Sequence, residues 1–432
     1  MHSGLSPSRA EPGARPGKIM KIICLSNQLW DFPLWTNKKH VMSRLPNLGH
    51  EVLFVDPPIN VGRVFFRYLS KGKWPLSRII TQTKKTEENV TVFSPLNFPP
   101  FKKDYSVKHA KRINMLAQEV FGNSTGKNKT KQKESVQPNP GQSDEKTILW
   151  VYHVELEGLE NYLKYIKHDF LIYDCVDNYE AFPKYDTPEK KKRIADQEKL
   201  LASRANIVFA TTPGLVEKLG KYNPKTYFTP NVGDFNRFFD IKNKGFEVPE
   251  DLKNISHPIV GYTGAIDEYK FDKKLLRKIA EDYPSYSFVV IGPLALKDRE
   301  STKEALGFGD LKNVFFLGSK DFTEIPKYVA FFDVMIIPYQ LNDYTVGGCF
   351  PVKFFEPLAA GIPLVVTDLP SYYPFSDVCY ISKNENEFSN NIRRALEEDS
   401  PEKAKQRQES ARKNTWEGKI SAMLGFINEN IK

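Results

Sequence analysis

The stretch FPVKFFEPLAAGIPLVVTDLP, Phe350–Pro370, combines the pattern of a short helix with that of a buried strand. Pro351 suits the first helical position, because its missing N–H needs no partner there. Gly361 suits the position just past the helix end, and Pro363 prevents the helix from continuing. The apolar run LVVT then predicts a strand.

The start of this helix is predicted to bind an anion. Phe350 has no side-chain oxygen that could cap the first N–H groups, and Gly347 and Gly348 precede it. Uncapped N–H groups and the positive end of a helix attract phosphate. Lys353 adds a cation, and Glu356 lies on the same helix face, where it could accept from sugar hydroxyls. The spacing predicts a nucleotide-sugar site, although an ordinary surface Lys–Glu pair shows the same spacing.

Strand-like and helix-like stretches alternate along most of the chain. The strand-like runs of the two halves are KIICLS, EVLFVD, TILWVY, FLIYDCV and NIVFATT, then PIVGYTG, SFVVIG, NVFFLG, VMIIP and PLVVT. This alternation is typical of parallel sheets covered by helices. The sequence therefore predicts an α/β protein with two facing doubly wound, Rossmann-like domains. A ligand cleft is expected between them, at the carboxyl ends of the strands.

Changes in composition indicate the domain limits. Residues 1–19 are rich in Ser, Pro, Gly and Arg and are predicted to be a disordered tail, and residues 122–146 a flexible insertion. The stretch Pro230–His257 carries no strand signal. We therefore expect a first domain over residues 20–235 and a second over residues 236–400.

Charge and cysteine content suggest a location and a partner. The chain has a net charge of +9, and residues 65–112 carry eleven Lys and Arg against three Asp and Glu, with aromatic residues among them. Such a segment suits peripheral contact with an anionic membrane, although a solvated basic face gives the same pattern. The four cysteines lack metal-ligand spacing, and no secretory signal is visible. The expected location is the cytoplasm, at the inner face of the cell membrane. No metal site and no nucleic-acid partner are expected.

Several motifs together resemble a known family. PIVGYTGAID, NVFFLG, DVMIIPY and PVKFFEPLAAGIPLVVT resemble the nucleotide-sugar domain of GT-B-fold glycosyltransferases of family 4 type. HEVLFVDPP and FLIYDCVDNYEAF resemble the first domain of bacterial teichuronic-acid biosynthesis glycosyltransferases. The resemblance covers roughly Met20–Trp416 and implies a GT-B fold whose last helix, in residues 401–432, crosses back to the first domain. It also implies a retaining, metal-independent hexosyltransferase that needs no cofactor and uses a UDP- or GDP-sugar. The acceptor would be a glycan or a lipid-linked glycan of cell-surface polysaccharide synthesis.

The resemblance assigns roles to residues of the second domain. Lys353 and the N–H groups near Val352 would bind the diphosphate and stabilise the charge that develops on it. Glu356 would accept from ribose hydroxyls. Gly264 would let the backbone approach the diphosphate, and Gly292 would lie beneath the nucleotide, although both also read as turn glycines.

Two further loops of the second domain receive roles. The loop Gly318–Asp321 would hold the base through its backbone, and Gly318 could equally be a turn glycine. Asn342, Asp343 and Thr345 would orient the sugar.

In the first domain, three side chains follow strand-like runs. Asp177 follows FLIYDCV and is the candidate carboxylate for the acceptor or the sugar, with a turn or helix-cap role as the alternative. His153 follows ILWVY and could polarise the acceptor hydroxyl, or could simply be a hydrogen-bonded histidine at a strand end. Asp31 is a third candidate. Asp177, His153 and Lys353 are therefore the predicted catalytic residues.

The sequence departs from the family pattern at three places. Gly348 stands where the family has the first of two glutamates. Neither Ala265 nor Ile266 supplies the arginine expected after the first strand of the second domain, and Lys270 is the nearest cation. The run SNQLWDFPLW replaces a glycine-rich loop.

Two other classes of function fit parts of the sequence. A nucleotide-sugar epimerase or hydrolase of the same fold would need more acid and base residues than His153 and the few carboxylates found. A non-catalytic member could bind a membrane or nucleic acid through its basic first domain. A dinucleotide dehydrogenase is disfavoured, because no G-x-G-x-x-G follows a strand.

Overall fold

The computed structural model describes residues 19–32, 34–62, 81–98, 104–122, 145–295 and 303–431. Two predicted features lie largely outside these ranges: the tail over residues 1–19 and the insertion over residues 122–146. Of the basic segment over residues 65–112, residues 81–98 and 104–112 are described. None of the described helices has both the length and the apolar character that a membrane span requires.

The first domain is built on an eight-stranded sheet. Every pair of neighbouring strands is parallel except the last, β5 with β4. In spatial order the strands are β10 (Thr226–Phe228), β9 (Ile207–Ala210), β8 (Phe170–Cys175), β7 (Thr147–Val151), β1 (Lys21–Leu25), β2 (Glu51–Val55), β5 (Thr91–Phe93) and β4 (Thr83–Lys85). A separate two-stranded sheet pairs β3 (Ile59–Asn60) with β6 (Leu96–Asn97).

The α-helices of this domain cover the sheet. They are α1 (Asn37–Arg44), α2 (Ser106–Gly122), α3 (Leu159–Tyr165), α4 (Pro188–Arg204) and α5 (Pro213–Gly220). Helix α4 shows why the chain folds as predicted: Thr187 accepts a hydrogen bond from the Lys190 N–H, and Pro188 occupies the first turn. Strand β8 is buried along its whole length, as strands of a parallel sheet covered on both faces are.

The second domain is a six-stranded, all-parallel sheet. Its order is β15 (Val314–Gly318), β13 (Ser287–Ile291), β11 (Ile259–Thr263), β16 (Val334–Ile337), β17 (Leu364–Thr367) and β18 (Tyr380–Ser382). Beyond it, β12 (Ile266–Asp267) pairs with β14 (Leu294–Ala295). Its α-helices are α6 (Phe235–Phe238), α7 (Lys273–Asp282), α8 (Ile325–Val329), α9 (Asp343–Gly348), α10 (Phe355–Ala359), α11 (Glu385–Glu397) and α12 (Pro401–Lys413). The predicted pair of α/β domains is confirmed.

The chain crosses between the domains twice, at adjacent places. Val232 packs in the first core and Phe235 in the second. The return crossing falls at Asn414, not at residue 401 as predicted. The reason is that α12 packs on α10 of the second domain, whereas α13 (Trp416–Asn430) buries its apolar face in the first core.

The two crossings are bonded to each other and to α1. Gly233 N donates to Asn414 O at 3.1 Å, which joins the outgoing and the returning chain. Arg44, at the end of α1, forms ion pairs with Asp234 at 3.0 Å and with Glu417 at 3.1 Å. One guanidinium therefore connects the first domain to both crossings.

Candidate functional site

A cavity of about 270 Å³ lies between the two domains. It stands at the carboxyl ends of the strands, where the sequence predicted a ligand cleft. The first-domain wall is formed by residues 34–38, Val176, Asp177 and Asn231. The second-domain wall is formed by residues 263–265, Lys270, residues 291–293, Ser319, Lys320, Phe322, Ile325, Tyr339, Tyr344, residues 349–353 and Glu356.

Three glycines end neighbouring strands on the second-domain side. Gly264 follows β11 and has φ of 140°, and Gly292 follows β13 and has φ of 152°. Gly318 is the last residue of β15 and has φ of 69°. Gly264 N donates to Ile291 O at 2.8 Å, and Gly292 N donates to Gly318 O at 2.9 Å. A Cβ at Gly264 would overlap Lys353 Nζ, and one at Gly292 would overlap Gly264 O. At the first two positions both the backbone angle and the space exclude a side chain, so the strand ends present bare backbone to the cavity.

The helix that carries the predicted anion site begins later than expected. Pro351 is extended, with φ −72° and ψ 136°, and a 3-10 turn over Val352–Phe354 precedes α10. Pro357 has no N–H that could bond to the carbonyl four residues earlier, so the first turn closes by the shorter bond from Phe354 N to Pro351 O. Gly361 has φ of 74° just past the helix, as predicted.

Lys353 reaches the cavity from this turn and is buried. Its Nζ donates to Tyr262 Oη at 2.9 Å and lies 4.2 Å from the centre of the same ring. Burial, together with the nearby charge of Lys270, lowers the pKa of Lys353 to about 7. An anion in the cavity would stabilise the charged lysine.

Glu356 lies at the same end of the cavity as Lys353. Burial raises the pKa of Glu356 to about 7, against the opposing effects of Lys353 and Arg237. Arg237 donates to Phe322 O and lies over the Phe322 ring, 3.5 Å from its centre. The predicted cation and carboxylate therefore lie together in the cavity.

Lys270 is the second cation of this wall. It forms an ion pair with Asp267 at 3.3 Å. Burial alone lowers the pKa of Lys270, but the charge of Asp267 outweighs it and raises the pKa above its usual value. Lys270 therefore stays charged beside Lys353. It is the nearest cation to the position after β11 where the family has an arginine and this sequence has none.

Asp177 lines the cavity from the first domain, as predicted. Tyr344, at the start of α9, donates its hydroxyl hydrogen to Asp177 Oδ1 at 2.6 Å, so the two domains are bonded across the cleft. Burial raises the pKa of Asp177, and this hydrogen bond opposes the rise. The sequence did not indicate Tyr344.

Gly348, which replaces the family's first glutamate, lies at a contact between the domains. A Cβ there would lie 2.8 Å from the Cβ of Asn178. The departure therefore has a structural consequence: α9 packs closer to the first domain than a glutamate would permit.

The sugar-orienting role of Asn342, Asp343 and Thr345 stays a prediction, and the structure shows another role for two of these side chains. Asn342 Oδ1 accepts from the backbone N–H groups of Tyr344 and Thr345 at 3.0 and 3.1 Å, and Thr345 Oγ1 accepts from Asn342 N at 3.0 Å. These side chains form a capping box at the start of α9. Asp343 is exposed, and none of the three lines the cavity.

Two first-domain candidates lie away from the cleft. His153 is buried beside a separate cavity of about 10 Å³ within the first domain, and burial lowers its pKa to about 4. Asp31 pairs with Lys84 at 2.7 Å on the surface. The structure therefore does not bring His153 or Asp31 together with Asp177 and Lys353.

The predicted base-binding loop reaches the cavity only in part. Ser319 and Lys320 line the cavity, and Lys320 pairs with Asp251 at 2.6 Å. The next aromatic residue, Phe322, stacks on Trp35 of the first domain with ring centres 4.7 Å apart. Trp35 belongs to the run SNQLWDFPLW, whose aromatic content was the one sequence signal for this contact.

No cluster of three His, Cys, Asp or Glu suited to a metal ion occurs in the part of the chain that the structure describes. All four cysteines, Cys24, Cys175, Cys349 and Cys379, are buried and unpaired.

Comparison with known proteins finds similarity over most of the second domain. Residues 246–414 match the family described as glycosyl transferases group 1. The chain is also 30% identical over 211 residues to TuaH of Bacillus subtilis (strain 168), named as a teichuronic acid biosynthesis glycosyltransferase. That match covers 47% of this chain and 51% of TuaH, so it spans about half the length of the curated relative.

Solved structures share the fold over nearly the whole chain. Anabaena HepE in complex with UDP and glucose matches with a TM-score of 0.62 at 15% identity, covering 95% of this chain and 99% of that one. The sucrose-phosphate synthase of Thermosynechococcus elongatus matches with a TM-score of 0.59 at 13% identity, covering 95% and 98%. Residues 246–414 therefore resemble the glycosyl transferases of group 1, and the chain shares the two-domain α/β fold of these solved structures.

Proposed function

We propose that the protein is a retaining, metal-independent hexosyltransferase. It transfers a sugar from a nucleoside-diphosphate sugar, with UDP or GDP as the nucleotide, to a glycan or lipid-linked acceptor of cell-surface polysaccharide synthesis. HepE was solved with UDP and glucose, and TuaH is named for teichuronic acid biosynthesis; both support the substrate class. Retention of configuration is proposed from the resemblance of the motif PVKFFEPLAAGIPLVVT.

The observation that carries this proposal is the bare backbone of Gly264 and Gly292 beside Lys353. A diphosphate fits where no Cβ can stand and where backbone and a buried ammonium meet. When the bond between the anomeric carbon and the diphosphate oxygen breaks, negative charge builds on that oxygen. Lys353 and Lys270 are fixed beside it, which lowers the barrier most where water is excluded.

We place the protein in the cytoplasm, at the inner face of the cell membrane. The described cations of the basic segment, including Lys108, Lys111 and Arg112 on α2, are exposed. They suit contact with anionic lipid headgroups. Co-sedimentation with anionic vesicles at low salt tests this contact, and absence of binding there would contradict it.

The donor site is tested by thermal unfolding with UDP, GDP, dTDP, ADP, CMP and NAD, without metal. A ligand at about 100 times its dissociation constant stabilises the folded state by roughly 2.7 kcal/mol. We expect one nucleoside diphosphate to raise the melting temperature. Lys353→Ala and Glu356→Ala should abolish that rise.

The matched control is Lys111→Ala, which removes an exposed cation from α2 and should leave the rise intact. The comparison uses the ligand-induced shift of each variant, since the substitutions also change the stability of the free protein. If no diphosphate stabilises the wild-type protein, the transferase proposal fails.

A further inference from the structure

The cavity has a second concentration of positive charge, on the first-domain wall. Thr36, Asn37 and Lys38, at the start of α1, all line it. Thr36 is the N-cap residue, but its hydroxyl donates to Gln28 Oε1 at 2.5 Å and makes no cap bond to the helix. No acidic residue occupies the first turn of α1. Uncapped N–H groups and the positive end of the helix therefore face the cavity.

Lys38 places a buried ammonium at the same point. Its side chain is 6% exposed, and Nζ donates to Asn27 Oδ1 at 2.7 Å. No ion pair joins Lys38 to a carboxylate within the described ranges. An ammonium has three donors, and burying one without a directly bonded countercharge costs free energy, which the more distant charge of Asp177 offsets only in part, since the pKa of Lys38 stays below its usual value. A group on a ligand could supply that countercharge.

Asn37 adds an unpaired acceptor. It is 3% exposed, and its Nδ2 donates to Asn231 Oδ1 at 2.6 Å. Its Oδ1 is buried without a hydrogen-bond partner. Buried polar atoms in folded proteins nearly always have a partner, so this oxygen marks a place where a ligand donor is missing. The residues that carry this cation and this acceptor both line the cavity at the start of α1, as an anionic sugar with free hydroxyls would need.

We propose that Lys38 and the start of α1 form a second anion subsite, which binds a phosphate or carboxylate group carried by the acceptor. This inference rests on the proposed function, because it assigns the donor diphosphate to Lys353 and Lys270 on the opposite wall. The first-domain wall is then left for the acceptor. The shared chemistry is an anionic oxygen group beside sugar hydroxyls.

A purely structural role for Lys38 makes a different prediction. Asp177 is the carboxylate whose charge acts most strongly on Lys38. If Lys38 served only to balance that charge, its loss would leave the binding of added anions unchanged.

The test uses the full chain saturated with the nucleoside diphosphate that binds it, titrated calorimetrically at low salt. The probes are inorganic phosphate, glucuronate and neutral glucose. We expect phosphate or glucuronate to bind, and the stronger of the two identifies the group. Lys38→Gln should weaken that binding about tenfold or more, since a lost charge contact of 1.4 kcal/mol is a factor of ten.

Two matched variants complete the design. Lys38→Arg keeps the charge and should retain binding, and Lys111→Gln removes an exposed cation and should have no effect. Thermal unfolding of each variant shows whether it is folded.

Three results would overturn the inference. The first is equal anion binding by wild type and a folded Lys38→Gln variant. The second is absence of anion binding by the wild-type complex. The third is weaker binding of the nucleoside diphosphate itself by the Lys38→Gln variant, which would assign Lys38 to the donor site. Failure of every diphosphate to bind the wild-type protein is a separate outcome, and it contradicts the proposed function instead.

Discussion

Lys353 and Glu356 are opposite charges that are buried in one cavity. Burial moves both pKa values to about 7, the lysine downward from 10.5 and the glutamate upward from 4.5. Each charged form is therefore less stable in the folded protein than in water. A nucleotide brings negative charge and hydroxyl groups, and these replace the water contacts that the charged forms of both side chains lost on burial. Ligand binding therefore relieves a cost that the nucleotide-free protein carries.

Replacing Lys353 by Met should stabilise the nucleotide-free protein in a pH-dependent way. Below pH 7 the folded wild type carries the buried charge and its full cost, whereas between pH 7 and 10.5 the folded lysine loses its proton and the cost declines. We expect Lys353→Met to raise the free energy of unfolding on the order of 1–3 kcal/mol at pH 6, and by less at pH 9.

Thermal unfolding of both proteins at pH 6 and pH 9 measures this difference. Lys111→Met, on the exposed face of α2, is the control and should show no comparable dependence on pH. Destabilisation at pH 6 would show that Lys353 makes stronger contacts in the free protein than the bond to Tyr262.

Single residues were predictable from sequence where local pattern defines them. Lys353 and Glu356 were found because a helix start leaves a sequence signal, whereas the glycines after the strands were found through the family resemblance of the motifs that contain them. Lys38 and Tyr344 were missed because each lies on an ordinary helix. They line the cavity only because the two domains face each other. The same limit explains His153, which ends a strand as predicted but is buried beside another cavity.

At the scale of elements, helix α9 shows how a cap can resemble a binding motif. Polar residues before a glycine pair suggested sugar contacts, yet Asn342 and Thr345 bond to the start of α9. They hold Tyr344 toward Asp177. At long helices such as α4 the sequence marks the start clearly, because an N-cap threonine and a proline agree there. The start of the short helix after Pro351 was not predicted correctly, because Pro357, which lies inside this helix, has no N–H and changes the hydrogen bonding of the first turn.

We expect Asn342→Ala to lower the free energy of unfolding by about 1 kcal/mol, the usual cost of losing an N-cap. Asn342→Asp keeps an oxygen that can accept from the same N–H groups, and it should lose less. Chemical denaturation of the three proteins measures both values. A variant Asn342→Ala as stable as wild type would show that the capping box contributes nothing.

For the whole molecule, the paired crossings lie against the site. A Cβ at Gly233 would lie 2.6 Å from the Cβ of Phe355, the residue just before Glu356. Gly233 is also the residue that bonds the outgoing chain to the returning one. Movement of one domain against the other therefore acts directly on the turn that carries Lys353 and Glu356.

Gly233→Ala should displace Phe355 and so weaken nucleotide binding. Overpacking of this kind costs about 1–3 kcal/mol, and we expect a smaller nucleotide-induced rise in melting temperature than in wild type. Gly425→Ala in α13 is the control, since a Cβ there meets open space and should leave that rise unchanged. Equal nucleotide-induced rises in melting temperature in wild type and Gly233→Ala would show that packing at the crossings does not affect nucleotide binding.

The position of α13 also bears on the order in which the chain folds during synthesis. Among the described residues, the buried members of the second core lie between Phe235 and Ala411, and all of them leave the ribosome before α13 does. The first core includes Trp416 and Met423, which are made after every one of those residues. The first domain therefore stays open along the surface that α13 will cover until after the buried residues of the second core have been made.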